Sequence, residues 1–240
     1  MTPHALFDMP AALPQHPAKY TTVLLPVMAN MLQGCEVILD PFGGAGGIFK
    51  LENWLPNIKI RAIELEPRFA AKHPRTQVGN ALHLPFSDQW FDAICTSPTY
   101  ANRMGDTLLN DEKYTRLTYT ACMGESLHPD NSGQLQWGRE YCEFHQKAWT
   151  EARRVLRVGG LFVLNIKDHI RAGRRKRVTL WHILCLTGLG FRLLRHERIG
   201  TPSMRWGANA EARVSYESVI LFRLERVNVA FVHAQEGAKV

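Results

Sequence analysis

The feature that most constrains this fold is a short apolar run that leads straight into a glycine-rich loop. The run VILD (37–40) is followed by PFGGAGG (41–47), and a helical pattern continues to about Leu55. Glycines allow a sharp turn and let a ligand approach the backbone, because they carry no Cβ. A strand, a tight turn and a helix in this order are typical of the first unit of an open α/β sheet.

Segments of the same kind continue along the chain, and they predict a mostly parallel sheet. Further apolar runs predict strands at 58–66, 76–81, 90–97, 161–166, 191–199 and 218–224. Helical spacing predicts helices from Tyr20 to Gly34, near Phe69, over 139–157 with an end at Gly159-Gly160, and over 178–190. Because strands alternate with helices, most strands should run parallel, whereas the last two should form an antiparallel pair. We therefore expect an α/β fold.

Length and composition indicate one domain. The chain has 240 residues, of which 45% are hydrophobic and 21% charged, so it is too apolar to be disordered. We assign 1–240 to a single domain, with an extended arm at 1–17 and a polar tail at 225–240. The stretch 101–138 is long, polar and irregular, and loops of that length are uncommon unless functional. We interpret it as an insertion that faces the substrate.

Cysteine usage and hydropathy set expectations about metal and compartment. The five cysteines form no CxxC pair, which argues against a disulfide scaffold and the common zinc motifs, and we assign no metal. The start of the chain lacks the pattern of a secretory signal. The longest uncharged stretch (178–191) is shorter than the ~20 residues of a membrane span. We expect a cytoplasmic protein of a bacterium or a phage-infected host, with no membrane partner.

Charges around the glycine loop indicate what it binds. Asp40 stands at the head of the loop, where it would repel a phosphate and favour a cationic group such as an ammonium. Glu64 ends the second predicted strand and can accept hydrogen bonds from two ribose hydroxyls. Asn80, near the end of the third, can bond an adenine edge, although a simple turn is the plainer interpretation. A nucleoside joined to an amino acid fits both ends, and S-adenosylmethionine is such a molecule.

Several motifs carry a resemblance to a known family. DPFGGAGG (40–47) resembles the first motif of class I S-adenosylmethionine-dependent methyltransferases, above all those that methylate amino groups in DNA. SPTY (97–100) resembles their catalytic tetrapeptide, Asp/Asn/Ser-Pro-Pro-Tyr/Phe, and HPAKY (16–20) resembles a further cofactor-contacting motif. The resemblance covers roughly 16–224. Four further segments are similar to a set of phage and bacterial DNA methylases: TSPTYANRMGD (96–106), LQWG (135–138), NIKDHIRAG (165–173) and GANAEARV (207–214).

The resemblance implies a fold, a cofactor and a set of contacts. The fold is the Rossmann-like class I methyltransferase fold, a mostly parallel seven-stranded sheet with a terminal antiparallel strand and helices on both faces. The cofactor is S-adenosylmethionine. The implied cofactor-binding residues are His16, Lys19, Tyr20, Asp40, Pro41, Phe42, Gly43, Gly44, Gly46, Glu64, Leu65, Asn80, Ala81 and Ser97.

The tetrapeptide implies a chemistry for the reaction. An exocyclic amino nitrogen of adenine or cytosine is a poor nucleophile, because its lone pair is delocalised into the ring. By the resemblance, Ser97 and the Pro98 carbonyl accept its hydrogens, and Tyr100 stacks on a base extruded from the duplex. Positioning and electrostatics would supply most of the catalysis, without a strong general base. Thr99 departs from the pattern, since the second proline and the stiffness it imposes on residue 98 are lost.

A basic segment is the predicted contact with nucleic acid, and DNA is the predicted partner. The chain carries a net charge of +7, and RAGRRKR (171–177) holds five cations without an acid. Because this segment follows the fifth predicted strand, it should lie on the cofactor's side of the sheet, where cations can bind phosphates. A solvated charge run is the alternative. The predicted nucleic-acid contacts are Asn102, Arg103, Arg171, Arg174, Arg175, Lys176, Arg177, Arg205 and Trp206.

The leading hypothesis is a methyltransferase that acts on N4 of cytosine or N6 of adenine in DNA, and by the resemblance Ser97 favours cytosine slightly. Methylation of RNA or of a protein amide is a second hypothesis, and a catalytically impaired nucleic-acid-binding homologue is a third. A NAD-linked oxidoreductase is disfavoured, because Gly44-x-Gly46 lacks the third glycine of a dinucleotide motif. Cys95 falls within a predicted strand, so we interpret it as a core thiol and not as a nucleophile.

Overall fold

The computed structural model describes residues 21–101, 119–201 and 213–226. The strands in chain order are β1 (Val37–Asp40), β2 (Lys59–Glu64), β3 (Thr76–Val78), β4 (Phe91–Thr96), β5 (Leu156–Ile166), β6 (His169–Arg171), β7 (Arg174–Lys176), β8 (Phe191–Gly200) and β9 (Tyr216–Leu224). Seven of them form one sheet in the order β3-β2-β1-β4-β5-β9-β8, whereas β6 and β7 form a separate hairpin.

Strand directions confirm the predicted sheet. The neighbours from β3 to β5 all pair in parallel. The last strand of the described residues, β9, runs antiparallel to both β5 and β8. The chain starts at β1, moves outward to β3 and then returns to place β4 on the other side of β1. In open sheets of this kind ligands bind at the carboxyl ends of the strands where the order reverses, which here means between β1 and β4.

The described residues contain five α-helices: α1 (Leu25–Met31), α2 (Pro67–Ala70), α3 (Tyr119–Met123), α4 (Arg139–Val155) and α5 (Val178–Gly188). The helix predicted after the glycine loop is present as a 3-10 helix, Gly47–Asn53. Side chains three apart share a face of such a helix, which brings Ile48 and Leu51 together, and both are fully buried. No helix in these ranges is both long enough and apolar enough to cross a membrane.

Alternate residues of the central strands face opposite layers of helices. Ile38 and Ala93 pack into an apolar cluster with α1 and the 3-10 helix, whereas their neighbours Leu39 and Ile94 pack into another with α4 and α5. Strands buried on both faces read as continuous apolar runs, which explains the sequence of β1. The predicted helices on both faces of the sheet are therefore confirmed.

The glycine pair at 159–160 has a different role from the predicted one. Helix α4 ends at Val155 and passes directly into β5, so these glycines lie inside a strand and do not end the helix. The pairing of β4 with β5 shifts register between Phe91 and Ala93, and Gly159 adopts φ +81° in the bulge. A positive φ favours glycine, so Gly159 suits the backbone conformation at the point where the two registers meet.

Candidate active site

The carboxyl ends of β1, β2 and β4 open into one cavity of about 800 Å³. The glycine loop and the tetrapeptide both line it, as the carboxyl-end argument predicted. The predicted site residues among its lining are Pro41, Phe42, Gly43, Gly44, Gly46, Glu64, Leu65, Asn80, Ala81, Ser97, Pro98 and Tyr100. The structure therefore places Gly44 and Ser97 around the same space, whereas the ligand atoms that these residues contact stay a prediction.

Two glycines of the loop have no room for a side chain. Gly46 adopts φ +78°, and a Cβ built there would lie 2.5 Å from the Cβ of His73. A Cβ on Gly43 would lie 2.8 Å from the Cβ of Ala62, and the Gly43 N–H donates to the Ile63 carbonyl at 2.7 Å. The loop therefore packs tightly against β2 and the chain beyond it, and its shape depends on glycine at both positions.

Asp40 is fully buried beneath the glycine loop. Its Oδ1 accepts hydrogen bonds from the Phe42 N–H at 3.0 Å and from the Thr96 hydroxyl at 2.7 Å. These bonds shape the first turn of the loop and join the end of β1 to the end of β4. Asp40 does not itself line the cavity, so its contact with an ammonium group stays a prediction.

Glu64 places its carboxylate at the wall of the cavity. Its Oε2 accepts a hydrogen bond from the Gly44 N–H and its Oε1 accepts one from the Glu66 N–H, each at 2.9 Å. Burial raises the pKa of the Glu64 carboxyl to about 7, although the two N–H bonds act against this shift. Each carboxylate oxygen has a second lone pair, which a ribose hydroxyl can use.

Asn80 forms a turn and also a contact with a distant segment. Its Oδ1 accepts from the Leu82 N–H at 2.9 Å, and its Nδ2 donates to Asp130 at 2.8 Å. The first bond is the turn that the simpler interpretation expected. The second holds the chain after β3 against the described part of the predicted insertion. Contact between Asn80 and an adenine edge stays a prediction.

The described part of the insertion, residues 119–138, covers one side of the cavity. Glu66 is 4% exposed and holds this part in place. Its Oε1 accepts hydrogen bonds from the His128 N–H at 2.9 Å and from the Asn131 side-chain amide at 2.7 Å. Asn131 and Ser132 line the cavity. This position agrees with a segment that faces the substrate, which stays a prediction.

The tetrapeptide joins a hydrogen-bond network with two residues from other strands. The Ser97 Oγ lies 3.1 Å from the Tyr100 hydroxyl, which donates to Glu217 Oε2 at 3.0 Å. The Asn165 Nδ2, at the end of β5, lies 3.1 Å from Ser97 Oγ, 2.9 Å from the Tyr100 hydroxyl and 2.9 Å from Glu217 Oε2. Burial, and next the charge of Glu217, raises the pKa of Tyr100 well above its usual range. The phenol therefore stays protonated and can donate.

Thr99 stands where the family motif has its second proline, and two hydrogen bonds hold it. Its Oγ1 donates to the Ser132 Oγ at 2.9 Å. Its carbonyl accepts from the hydroxyl of Tyr141 at 2.8 Å, and Tyr141 is fully buried in α4. These bonds fix the tetrapeptide from two sides and supply part of the constraint that the missing proline would impose.

Asn165 and Glu217 are site residues that were not predicted from the sequence. Asn165 is 1% exposed and interrupts the otherwise apolar run LFVLNI (161–166). A polar residue inside a buried run is a signal that could have identified it. Glu217 contacts Tyr100 across 117 residues of sequence, and no local pattern reveals that contact.

Most of the basic segment 171–177 belongs to a β-hairpin formed by β6 and β7, and not to an irregular loop. Strands β6 and β7 pair in antiparallel fashion with Ala172 and Gly173 between them. These two residues have φ of +51° and +68°, and positive φ at both positions is what a type I′ hairpin turn requires. The glycine accounts for the turn, but alanine at the first position gives no sequence signal for it.

The cations of this segment differ in their surroundings. Arg175 donates to Asp168 Oδ2 at 2.9 Å and also to the hydroxyl of Tyr216, which immediately precedes Glu217. Arg175 thus anchors the hairpin to β9. All four arginines, Arg175 included, are exposed and Lys176 is half-buried, so Arg171, Arg174 and Arg177 are the exposed arginines that do not form this anchor.

Several predictions fall on parts of the chain outside the described residues. They are the arm at 1–17, most of the tail at 225–240, and the contacts His16, Lys19, Tyr20, Asn102, Arg103, Arg205 and Trp206. Across the described ranges, no group of three or more His, Cys, Asp or Glu is arranged to hold a metal ion. Cys95 is fully buried in β4, as expected of a core thiol.

Comparison with known proteins identifies the fold. No protein-family model matches the sequence, and no curated protein matches it significantly. An S-adenosylmethionine-dependent methyltransferase from Methanosarcina mazei has a similar structure, with a TM-score of 0.53, 14% identity, and coverage of 83% of this chain and 97% of that one. Geranyl diphosphate methyltransferase, solved with GPP and sinefungin, has a TM-score of 0.53, 13% identity, and coverage of 84% and 76%.

The same fold also occurs in a protein with another chemistry. The cyclase SpnF has a TM-score of 0.52, 14% identity, and coverage of 88% of this chain and 85% of its own. At these identities the likeness concerns the fold, and a fold does not by itself determine a reaction. With its strand order, its reversed last strand and its two layers of helices, the chain has the Rossmann-like fold of class I methyltransferases.

Proposed function

We propose that this protein is an S-adenosylmethionine-dependent methyltransferase that methylates an exocyclic amino nitrogen of a DNA base, N4 of cytosine or N6 of adenine. The observation that carries the proposal is that two separate motifs line one cavity. We call the wall formed by 41–47, Glu64 and Asn80 the donor half, and the wall formed by 97–100 and Glu217 the acceptor half. Group transfer requires such an arrangement, because the reacting atoms must be held in line.

The donor half fits S-adenosylmethionine. The glycine loop brings backbone within reach of a ligand, and Glu64 offers two carboxylate oxygens to ribose hydroxyls. The cavity volume of about 800 Å³ lies within the ~300–1,000 Å³ of typical small-molecule sites. The M. mazei protein of the same fold is described as S-adenosylmethionine-dependent, and geranyl diphosphate methyltransferase was solved with sinefungin, which supports this assignment.

The acceptor half fits an amino group. When bound, the cofactor supplies an electrophilic methyl group. Ser97 Oγ and the Pro98 carbonyl accept the two amino hydrogens and so direct the nitrogen lone pair toward the donor half. Asn165 holds Ser97, and Tyr141 holds the carbonyl of Thr99, the residue after Pro98, so that the tetrapeptide is positioned before the substrate arrives. Tyr100 lines the cavity beside them and can stack on the base.

Charge supports a polyanionic substrate. The chain carries a net charge of +7, and the hairpin at 171–177 exposes arginines beyond the carboxyl end of β5. Arg175 attaches this hairpin to Tyr216, the first residue of β9. The second residue of β9, Glu217, lines the cavity. Cations at this position can bind backbone phosphates while one base is extruded into the cavity.

The decisive experiment is mass spectrometry of nucleosides after incubation with S-adenosylmethionine that carries an isotope-labelled methyl group. Unmethylated DNA, RNA and a protein extract are offered in parallel. We expect label in DNA as N4-methylcytosine or N6-methyladenine. Label in RNA or protein alone would overturn the DNA assignment, and cofactor binding without any transfer would indicate an impaired nucleic-acid-binding protein.

A further inference from the structure

Glu217 occupies a position that the reaction described above leaves unused. Its side chain lines the cavity, although the residue is only 8% exposed. Its Oε2 accepts from the Tyr100 hydroxyl at 3.0 Å and from the Asn165 amide at 2.9 Å. Lys167 lies near enough to interact electrostatically with Glu217, but it donates its hydrogen bond to Thr201. The two hydrogen bonds that Oε2 accepts therefore both come from neutral donors.

The chemistry of these groups gives the network a direction. An ionised carboxylate only accepts, so the Tyr100 hydroxyl is the donor in its contact with Glu217. The Tyr100 oxygen can then accept the Ser97 hydroxyl hydrogen across 3.1 Å. The Asn165 amide nitrogen donates only, so it adds no competing acceptor. The chain of hydrogen bonds thus runs from the cavity through Ser97 and Tyr100 to Glu217.

We propose that Glu217 receives the proton that the substrate nitrogen loses on methylation, by way of Ser97 and Tyr100. This inference rests on the proposed function. As the new N–C bond forms and the methyl C–S bond breaks, the nitrogen carries one proton too many. That proton moves to Ser97 Oγ, the Ser97 proton moves to the Tyr100 oxygen, and the Tyr100 proton moves to Glu217.

The charges balance in this step. The sulfonium becomes a neutral thioether, the carboxylate becomes a neutral carboxylic acid, and the methylated amine is left neutral. Because Glu217 lines the cavity, it can return the proton to water once the products leave. Glu217 acts through Tyr100 and does not touch the reacting atoms, so it is a positioning residue as well as the last proton acceptor.

The first test measures single turnovers with labelled S-adenosylmethionine and unmethylated DNA. Glu217→Gln keeps the size of the side chain, and Tyr100→Phe removes only the middle hydroxyl. Proton transfer by a positioned group contributes about 10²–10⁴-fold, so we expect each variant to slow transfer about a hundred-fold. The double variant should be no slower than the slower single variant, because both substitutions break one chain. Calorimetry should find cofactor affinity unchanged in all three.

The matched control is Glu225→Gln, which neutralises an exposed carboxylate just beyond β9 that pairs with Arg192. This variant should turn over like the wild type. Should Glu217→Gln fold poorly in thermal unfolding, Tyr100→Phe interrupts the same chain and keeps the inference testable.

The second test does not depend on transfer. It uses NMR of protein labelled with ¹³C at the Cζ of tyrosine. The Tyr100 signal is assigned as the one that disappears in Tyr100→Phe. Glu217→Gln should shift it, because the hydroxyl then loses its ionised acceptor, whereas Glu225→Gln should leave it in place. A Tyr100 resonance that is unmoved by Glu217→Gln would overturn the relay.

The outcomes separate the two proposals. If the wild type methylates DNA and both Glu217→Gln and Tyr100→Phe turn over normally, the relay is wrong and the proposed function stands. If the wild type transfers no methyl group to DNA, the proposed function is wrong and the role of Glu217 in it is overturned as well.

Discussion

The two halves of the cavity are built in different ways. The donor half comes chiefly from one stretch of chain, 37–64, in which glycines and backbone N–H groups shape the surface. The acceptor half gathers Ser97, Tyr100 and Glu217 from two distant parts of the chain, joined by side-chain hydrogen bonds that Asn165 completes. The donor half should therefore fail when backbone space is filled, and the acceptor half should fail when a single polar atom is removed.

The largest effect should follow Gly46→Val in the donor half. The new side chain would start 2.5 Å from the Cβ of His73, at a φ of +78°. Overpacking costs about 1–3 kcal/mol and a left-handed non-glycine residue costs about 1–2 kcal/mol more. We expect calorimetry to detect no cofactor binding, and thermal unfolding to show a lower Tm.

Gly34→Val is the control for that substitution. Gly34 adopts φ +82°, but a Cβ built there would have no atom within 4 Å. Gly34→Val therefore introduces the backbone strain of a positive φ without a steric clash. Cofactor affinity should stay near that of the wild type. If both variants lose binding equally, backbone strain and not the packing of the loop would be responsible.

Ser97→Ala tests the acceptor half and should have the next largest effect. Removing one preorganised polar contact at a reacting group typically costs about 10²–10³-fold in turnover. Single-turnover transfer to DNA should fall by about that amount, while calorimetry finds cofactor affinity nearly intact. Ser87→Ala, at an exposed serine, serves as the control. If Ser97→Ala lost cofactor affinity and kept its turnover, the division between the two halves would be wrong.

The basic hairpin should contribute a smaller and salt-dependent effect. Neutralising Arg171 and Arg174 removes exposed cations and leaves the Arg175 anchor intact. Each lost phosphate contact should reduce the slope of log affinity against log salt by about 0.9, as measured by fluorescence anisotropy with duplex DNA. The control is Lys59→Gln, at the amino end of β2 and so at the edge of the sheet opposite the cavity. This variant should leave the slope unchanged. An unchanged slope in the double variant would mean that these arginines are only solvated.

The smallest effect is a pH dependence of cofactor binding, set by Glu64. With a pKa of about 7 in the free protein, this carboxyl gains a proton as the pH falls through 7. Ribose hydroxyls donate best to the ionised form, so affinity should weaken by up to about ten-fold per pH unit below 7 and level off above it. Calorimetry across this range measures the profile. Glu64→Gln should bind the cofactor more weakly and with an affinity that no longer depends on pH in this range. A flat pH profile in the wild type would contradict the contact between Glu64 and the ribose hydroxyls.

The sheet was predictable from sequence because its signals are local. The runs VILD and WFDAICTS appear as β1 and β4 within one or two residues of their predicted bounds. Parallel strands place their carboxyl ends together, so the glycine loop and SPTY could be assigned to one space before the structure was known. The donor half follows from such local patterns almost entirely.

The errors occur where distant residues decide the local conformation. The glycine pair at 159–160 lies where the pairing of β5 with β4 shifts register. The local sequence alone predicted that this pair would end a helix. Ala172 takes the positive φ of a hairpin turn without a sequence signal for it. The link between Tyr100 and Glu217 depends on the packing of β9 beside β5. The acceptor half therefore needed the structure.

A crystal structure with sinefungin, an analogue with an amine in place of the transferable methyl group, tests most directly whether donor and acceptor share the cavity. We predict the nucleoside against Glu64, and the amine within hydrogen-bonding distance of the Ser97 hydroxyl or the Pro98 carbonyl. Sinefungin bound outside this cavity, or inside it with the amine turned away from 97–100, would contradict the proposed site.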